Sequence, residues 1–218
     1  MKAKHSILMI FVLFFPLILS SCKGATSASP STSPQSLETN SSSQDGLPPL
    51  EDTFKTLYQG ADEMYTKIVF GNFHCDVNQP ITKGDLTYYK VDEPAFDSYD
   101  AFIEHLSKYF TEDFINNTIL TPDQSRFIKG EDGALYLLDA GRGSNILYAG
   151  HVFHSIQQTE NEVTFTATAY YAKAQEAYEG DPFFTTPKNI NDFTTEEYTF
   201  VLVKENSAWK FDQFSCFF

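Results

Sequence analysis

The spacing of the apolar residues changes once along this chain, and that change limits the folds that it can adopt. Between Phe54 and Val69 the apolar residues recur at helical spacing and form one wide stripe. From Val163 to Tyr171 they alternate with threonines, which is typical of a strand with one buried side. Helical segments followed by strands predict an α+β domain in which helices pack on one face of an antiparallel sheet.

The ends of the helices can be read from the residues that flank the apolar stripes. Asp52 or Thr53 can cap the first helix with a side-chain oxygen, and Gly71 can end it in a left-handed conformation. The residues after Gly71 are expected to form a loop. A second helix is predicted over residues 99–109, and a short third helix follows Thr111.

The second half of the chain is predicted to be mostly β-structure. The loop over residues 174–194 is longer than a simple connection needs. The register of the last strand shifts near Gln213, which indicates a β-bulge. One short strand is predicted earlier, at residues 86–91, between the first two helices. The other strands are predicted at residues 126–129, 134–139, 146–157, 163–171, 197–204 and 208–217.

The N-terminus has the features of an export signal. Lys2 and Lys4 precede a short apolar run at residues 7–19, which is the pattern of a signal peptide. The Leu-Ser-Ser-Cys sequence that ends at Cys22 resembles a lipobox. The resemblance implies that residues 1–21 are removed and that Cys22 carries a diacylglycerol, whose two acyl chains hold a protein at a membrane. The alternative is an ordinary secreted protein with an incidental cysteine.

A segment rich in small polar residues separates this signal from the rest of the chain. From Gly24 to Leu50, 15 of 27 residues are Ser, Thr or Pro, without an apolar period. Residues 22–50 are therefore predicted to form a disordered tether. Aromatic residues become frequent from residue 51, so a single acidic domain is predicted over residues 51–218.

The remaining cysteines and the charge describe the environment of that domain. Cys75 and Cys216 would lie outside the cytoplasm, where they could form a disulfide or remain separate apolar residues. Residues 51–218 contain 27 acidic and 12 basic residues. Such a charge excludes nucleic acid as a partner and leaves the lipid as the only membrane attachment. It favours a basic partner, although solubility alone also explains acidic bias.

The sequence contains no motif that carries catalytic chemistry. It lacks the nucleophile-elbow, zinc-protease, phosphate-loop and C-x-x-C patterns, so no catalytic residue and no cofactor are predicted. His151 and His154 are the best metal candidates, but residues three apart on a strand point to opposite faces. Paired carboxylates stand at turns without the spacing of a calcium loop. No metal site is predicted.

Several phrases of the domain resemble the IseA family of DL-endopeptidase inhibitors. They are AxxMYTKIVFG, TYYKVDEPAFDSYDAFIEHLSKYFTEDF, GALYLLDAGRGSNILYAG and EEYTFVLVKENSAWKFDQF. The resemblance implies an extracytoplasmic protein that restrains NlpC/P60-type cell-wall hydrolases. A broader resemblance, to NTF2-like lipoproteins, rests on the W-x-F-x-x-F ending. It implies a curved sheet around a helix, as in the NTF2-like and cystatin-like folds, with a cone-shaped pocket.

Two functional hypotheses follow from these resemblances. The first is a lipid-anchored protein at the extracytoplasmic face of the membrane that covers the catalytic cleft of a basic cell-wall hydrolase. The second is a binding module that holds a small apolar or wall-derived ligand in its cone. A deep pocket lined by Tyr and Phe would favour the module, and a filled core the inhibitor. The oligomeric state is not predicted.

Two segments are the candidate contacts of the inhibitor. One is the turn near Asp139 and Arg142, and the other is the loop at 176–184. This loop mixes aromatic and acidic residues, a composition that interface hot spots use. Its candidate contacts are Tyr178, Glu179, Asp181, Phe183 and Phe184.

Overall fold

The helix predicted from the first apolar stripe is the element against which the rest of the fold packs. The computed structural model describes residues 35–37, 45–121, 125–138, 140, 143–173 and 177–218. It places this helix, α1, at Asp52–Phe70, and Gly71 ends the helix in the left-handed conformation (φ 68°) as predicted. At the N-terminus the structure differs, because Glu51 occupies the capping position without a side-chain hydrogen bond. The buried residues of α1 are Phe54, Tyr58, Ala61, Met64 and Ile68.

The strands of the described chain form two antiparallel sheets. One has five strands in the order β1-β6-β7-β8-β9 and the other has four in the order β2-β3-β5-β4. The prediction of an α+β fold is confirmed, but the sequence pattern indicated a single sheet. The strands are β1 Gln35–Leu37, β2 Cys75–Lys83, β3 Leu86–Val91, β4 Phe127–Lys129, β5 Leu135–Leu138, β6 Tyr148–Gln158, β7 Glu162–Ala172, β8 Phe193–Glu205 and β9 Ala208–Gln213.

The five-stranded sheet covers α1 with its aromatic side. Phe165 of β7 lies opposite Phe200 of β8, and both rings are fully buried. The threonines of β7 face the other way, as the alternation predicted. Val201 pairs with Gln213 while Leu202 pairs with Phe211, so Asp212 is the extra residue of the predicted bulge. Because the register shifts there, Asp212 accepts a hydrogen bond from the Thr111 hydroxyl at 2.8 Å.

Two shorter α-helices follow β3 in the chain and precede β4, so they connect two strands of the four-stranded sheet. Helix α2 spans Tyr99–Leu106 and is capped by Ser98, whose hydroxyl accepts from the Ala101 amide. Thr111 caps α3 (Glu112–Phe114), which continues as a wider turn over Ile115–Ile119. Single turns of 3₁₀-helix lie at Pro94–Phe96 and Ile190–Asp192. The buried faces of α2, of α3 with the wider turn after it, and of both sheets contribute to one apolar core, whereas Ile190–Asp192 has no buried residue.

The structure differs from the prediction at both ends of α1. Residues after Gly71 form strand β2, not a loop, and this strand pairs with β3. Before α1, residues 35–37 pair with β6 and Gly46, Pro48 and Leu50 are buried. The predicted disordered tether therefore does not extend unbroken to residue 50. No helix of the described residues is long and apolar enough to cross a membrane.

Candidate partner-binding surface

The connection between the two sheets is held against the end of α1. The Arg126 guanidinium donates to the carbonyls of Ile68 and Val69 at 3.0 Å and to that of Ala140 at 2.6 Å. The first two carbonyls belong to the last turn of α1, where backbone acceptors lack helical partners. Arg126 therefore fixes the segment that begins at Leu138, whose amide donates to the Arg126 carbonyl at 2.8 Å.

The long loop after β7 packs beside the start of β6. The Tyr178 amide donates to the carbonyl of Ile146 at 2.8 Å. The Phe183 amide donates to the Ala149 carbonyl, and the Phe183 carbonyl accepts from the His151 amide, both at 3.0 Å. The structure thus joins this loop to the connection between the sheets, which sequence reasoning treated as a separate contact. Asp139 and Arg142 themselves lie outside the described residues.

The aromatic residues of this loop serve the fold, while its acidic residues face solvent. Phe183 packs against Tyr170, with ring centroids 5.4 Å apart, and Phe184 lies 5.2 Å from the His151 ring. Tyr178, like these two phenylalanines, is only partly exposed. Glu179 and Asp181 are fully on the surface. The predicted contact residues therefore separate into an inward aromatic set and an outward acidic pair.

An exposed isoleucine completes this surface. Ile146 is 60 % exposed, and its carbonyl accepts the hydrogen bond from Tyr178. Sequence reasoning missed Ile146 as a contact, because it placed this residue in the strand predicted over 146–157, whereas the structure puts it in the turn before β6. An apolar residue beside acidic ones is a composition found at protein interfaces. We call Ile146, Tyr178, Glu179 and Asp181 the acidic-apolar surface.

An open groove of about 260 Å³ borders the segment that Arg126 fixes. Val77 stands at its rim and is 67 % exposed. The Asp76 carboxylate accepts from the Asn78 amide at 2.9 Å and from the Gln79 side chain at 2.7 Å, and these bonds lower its pKa. The groove is lined by Gly71, Phe73, Cys75, Val77, Tyr89, Arg126, Leu137, Leu138 and Ala140.

The two strand histidines lie on opposite sides of β6, as their spacing predicted. His154 accepts or donates one hydrogen bond with the Thr168 hydroxyl at 2.9 Å. His151 is buried between the Tyr148 hydroxyl at 2.6 Å and the Gly46 carbonyl at 2.9 Å. Burial lowers the pKa of His151 to about 4. Among the residues that the structure describes, no cluster of three or more His, Cys, Asp or Glu side chains could hold a metal ion.

The two cysteines have local backbone contacts. The Sγ atom of Cys75 lies 3.7 Å from the Phe73 carbonyl oxygen, and that of Cys216 lies 3.5 Å from the Phe218 carbonyl oxygen. Cys75 also borders the groove. Their pairing as a disulfide stays a prediction.

The space under the curved sheet is occupied by aromatic side chains. The Tyr58 ring of α1 contacts five phenylalanine rings with centroids 5.5 to 6.3 Å away, from β6, β7, β8, β9 and the residues that follow β9. Phe214 and Phe217 are 2 % and 4 % exposed there. Phe217 stacks on His151 with centroids 4.2 Å apart. The cone implied by the NTF2-like resemblance is therefore filled by the chain's own residues.

Comparison with known families identifies this fold. The family model described as IseA DL-endopeptidase inhibitor matches residues 50–216. The chain belongs to the IseA family. The match covers every element described above from α1 to β9 and does not cover β1, so the IseA-family assignment applies to the architecture from α1 onward. A search of curated proteins found no match.

Proposed function

We propose that this IseA-family chain inhibits a peptidoglycan DL-endopeptidase of the NlpC/P60 type by covering its catalytic cleft. The observation that carries this proposal is the family match over residues 50–216. The family is named for inhibition of such enzymes, which also argues against a catalytic role for the chain itself. We further propose that Cys22 is lipidated and that the protein acts at the outer face of the cell membrane.

The acidic-apolar surface is the best candidate for the contact with the enzyme. Residues 177–197 contain five acidic residues and one lysine, so the field around Glu179 and Asp181 attracts a basic partner. Ile146 offers an exposed apolar side chain beside them. Backbone pairing of the loop with Ile146 and β6 supports both in fixed positions, which lowers the entropy cost of binding.

The filled interior favours this function over the ligand-binding alternative. Tyr58 and the phenylalanines around it occupy the volume in which an NTF2-like module would hold a ligand. An inhibitor that covers a cleft needs a rigid surface, and an aromatic core packed on a 19-residue helix supports one. The groove beside Val77 is open to solvent and not enclosed, which suits a protein contact.

Charge reversal on the acidic-apolar surface tests the proposal. The purified chain should inhibit the release of peptides from cell walls by an NlpC/P60 hydrolase, and Glu179→Lys with Asp181→Lys should weaken inhibition about tenfold or more. The matched control is Asp85→Lys with Glu104→Lys, which changes the net charge equally at exposed positions outside this surface. Equal losses of inhibition in both double variants would mean that net charge, and not this surface, accounts for the effect. An excess of the unmodified chain that leaves hydrolysis unchanged would refute the function.

Membrane fractionation tests the proposed anchor separately. The Cys22→Ala variant should appear in the soluble extracytoplasmic fraction, because it lacks the thiol that would receive the lipid. The Cys75→Ser variant is the control and should stay with the membrane. If the Cys22→Ala variant also stays there, the protein is held by something other than this lipid.

A further inference from the structure

Two parts of the predicted tether are bound to the folded domain. Residues 35–37 form strand β1, which lies antiparallel to the end of β6, with Gln35 opposite Gln158 and Leu37 opposite Ile156. Strand β1 thereby covers an edge of the five-stranded sheet. A sheet edge presents unpaired backbone groups, so its natural partner is another extended segment. Here that segment comes from the same chain.

The second bound part is residues 45–50, and it is held by side chains. The His151 ring lies between the Tyr148 hydroxyl and the Gly46 carbonyl. The carbonyl can only accept, so Nε2 of the neutral ring carries the hydrogen and Nδ1 accepts from Tyr148. Gly46 also lies against Phe184, and a Cβ atom there would be 2.6 Å from the Phe184 ring. Only glycine permits this approach.

The burial of residues within 45–50 shows that this segment is packed into the domain. Pro48 is among the fully buried side chains, and Leu50 is 9 % exposed within the core. The Leu47 amide donates to the Asp45 carboxylate at 3.2 Å, which shapes the turn before Pro48. A segment rich in Ser, Thr and Pro does not bury residues by composition alone. Gly46 has specific partners in His151 of β6 and in Phe184, and Leu50 belongs to the apolar core of the domain.

We infer that residues 35–37 and 45–50, the latch, dock in cis on the edge of β6 and on His151, and thereby set the length of the tether. The consequence for length rests on the proposed lipidation of Cys22. With the latch docked, 12 residues (23–34) separate Cys22 from the domain, and they span at most about 40 Å. With the latch released, 28 residues (23–50) span at most about 95 Å. Docking thus decides how far the domain reaches from the lipid.

Disulfide trapping tests the β1 contact. Residues directly opposite in an antiparallel pair have Cα atoms about 4.5 to 5.5 Å apart, within the range of a disulfide. Ser36→Cys with Gln157→Cys, in the full chain with Cys22→Ser, Cys75→Ser and Cys216→Ser, should form a cross-link within one chain on mild oxidation. Ser36→Cys with Thr199→Cys in the same background is the control, because Thr199 lies on β8, which β6 and β7 separate from β1. A cross-link between two chains, or equal yields for the two pairs, would overturn docking in cis.

Hydrogen exchange tests the second contact without new cysteines. In the full chain, His151→Phe keeps a ring against Phe184 but removes the donor to Gly46. Exchange of the amides at 45–50 should accelerate about tenfold, while the amides at 163–170 should not change. Unchanged exchange at 45–50 would overturn the role of His151 in the latch. Neither measurement involves a hydrolase or a lipid, so a failure here leaves the proposed inhibition untouched.

Discussion

At the scale of single residues, Asp62 is a carboxyl group whose charged form is disfavoured by burial. It lies on α1 one turn after Tyr58, and burial raises its pKa from 3.8 to about 6. The carboxylate in turn raises the pKa of Tyr58, after the larger effect of burial. A raised pKa in the folded state means that folding binds a proton between about pH 4 and pH 6. The protonated form therefore stabilises the fold below pH 4, and this contribution is lost as pH rises through 6.

The variant Asp62→Asn should remove the loss of folding stability that accompanies ionisation of Asp62. The variant should be more stable than the unmodified chain by about 1 to 2 kcal/mol at pH 7.5, a value reduced from the full pKa shift because Asp62 is partly solvated. The difference should vanish near pH 4. Urea unfolding at the two pH values measures it, and Glu104→Gln on the exposed side of α2 is the control. A pH-independent gain would mean that the asparagine acts through packing instead.

At the scale of elements, the pairing of the long loop with β6 depends on Gly150. This residue has φ +149°, and a Cβ atom there would overlap the carbonyl oxygen of Phe183. Gly150→Ala should open the contact between Phe183 and β6 and destabilise the domain by about 2 to 4 kcal/mol. Gly143→Ala, where a Cβ meets no atom within 4 Å, should change stability by less than about 0.5 kcal/mol. Equal unfolding midpoints for the two variants would contradict this role.

Elements with a buried side were predictable, and those without one were not. α1, β7 and the bulge near Gln213 follow from periodic apolar residues that the core selects. Strand β2 was missed because most of its residues are exposed and Pro80 interrupts its pattern. β2 pairs with β3 in a hairpin, with Lys83 opposite Leu86 across Gly84 and Asp85. A two-residue turn of this kind is a local hairpin signal, which sequence reasoning did not use because it read the residues after Gly71 as a loop.

The composition of the loop at 176–184 indicated a contact surface but not which of its side chains face solvent. Aromatic and acidic residues together suggested a contact surface, but composition does not tell inward side chains from outward ones. The Phe183 ring packs against Tyr170 and the Phe184 ring against His151, and neither partner belongs to the loop. Only Glu179 and Asp181 keep the exposure that partner binding needs. Their role as contacts stays a prediction.

At the scale of the whole molecule, packing determines the stability of the fold and charge determines how the domain attracts partners. One apolar core links α1, α2 and both sheets, so the described surface residues stand on a shared scaffold. The excess of 15 negative charges over residues 51–218 lies on that scaffold and adds little to the fold. Its physical effect is a long-range field. That field acts on how quickly a charged partner arrives more than on how long it stays.

If the partner is the basic hydrolase that we propose, salt should therefore change the rate at which this protein associates with it. Raising ionic strength from about 20 to 200 mM shortens the screening length below about 10 Å, and the association rate constant should fall about tenfold. The dissociation rate should change less, because short contacts such as the one proposed for the exposed Ile146 are not screened. Stopped-flow binding measures both rates. Glu179→Lys with Asp181→Lys should flatten the salt dependence, and a steep dependence in that variant would place the steering charge elsewhere on the domain.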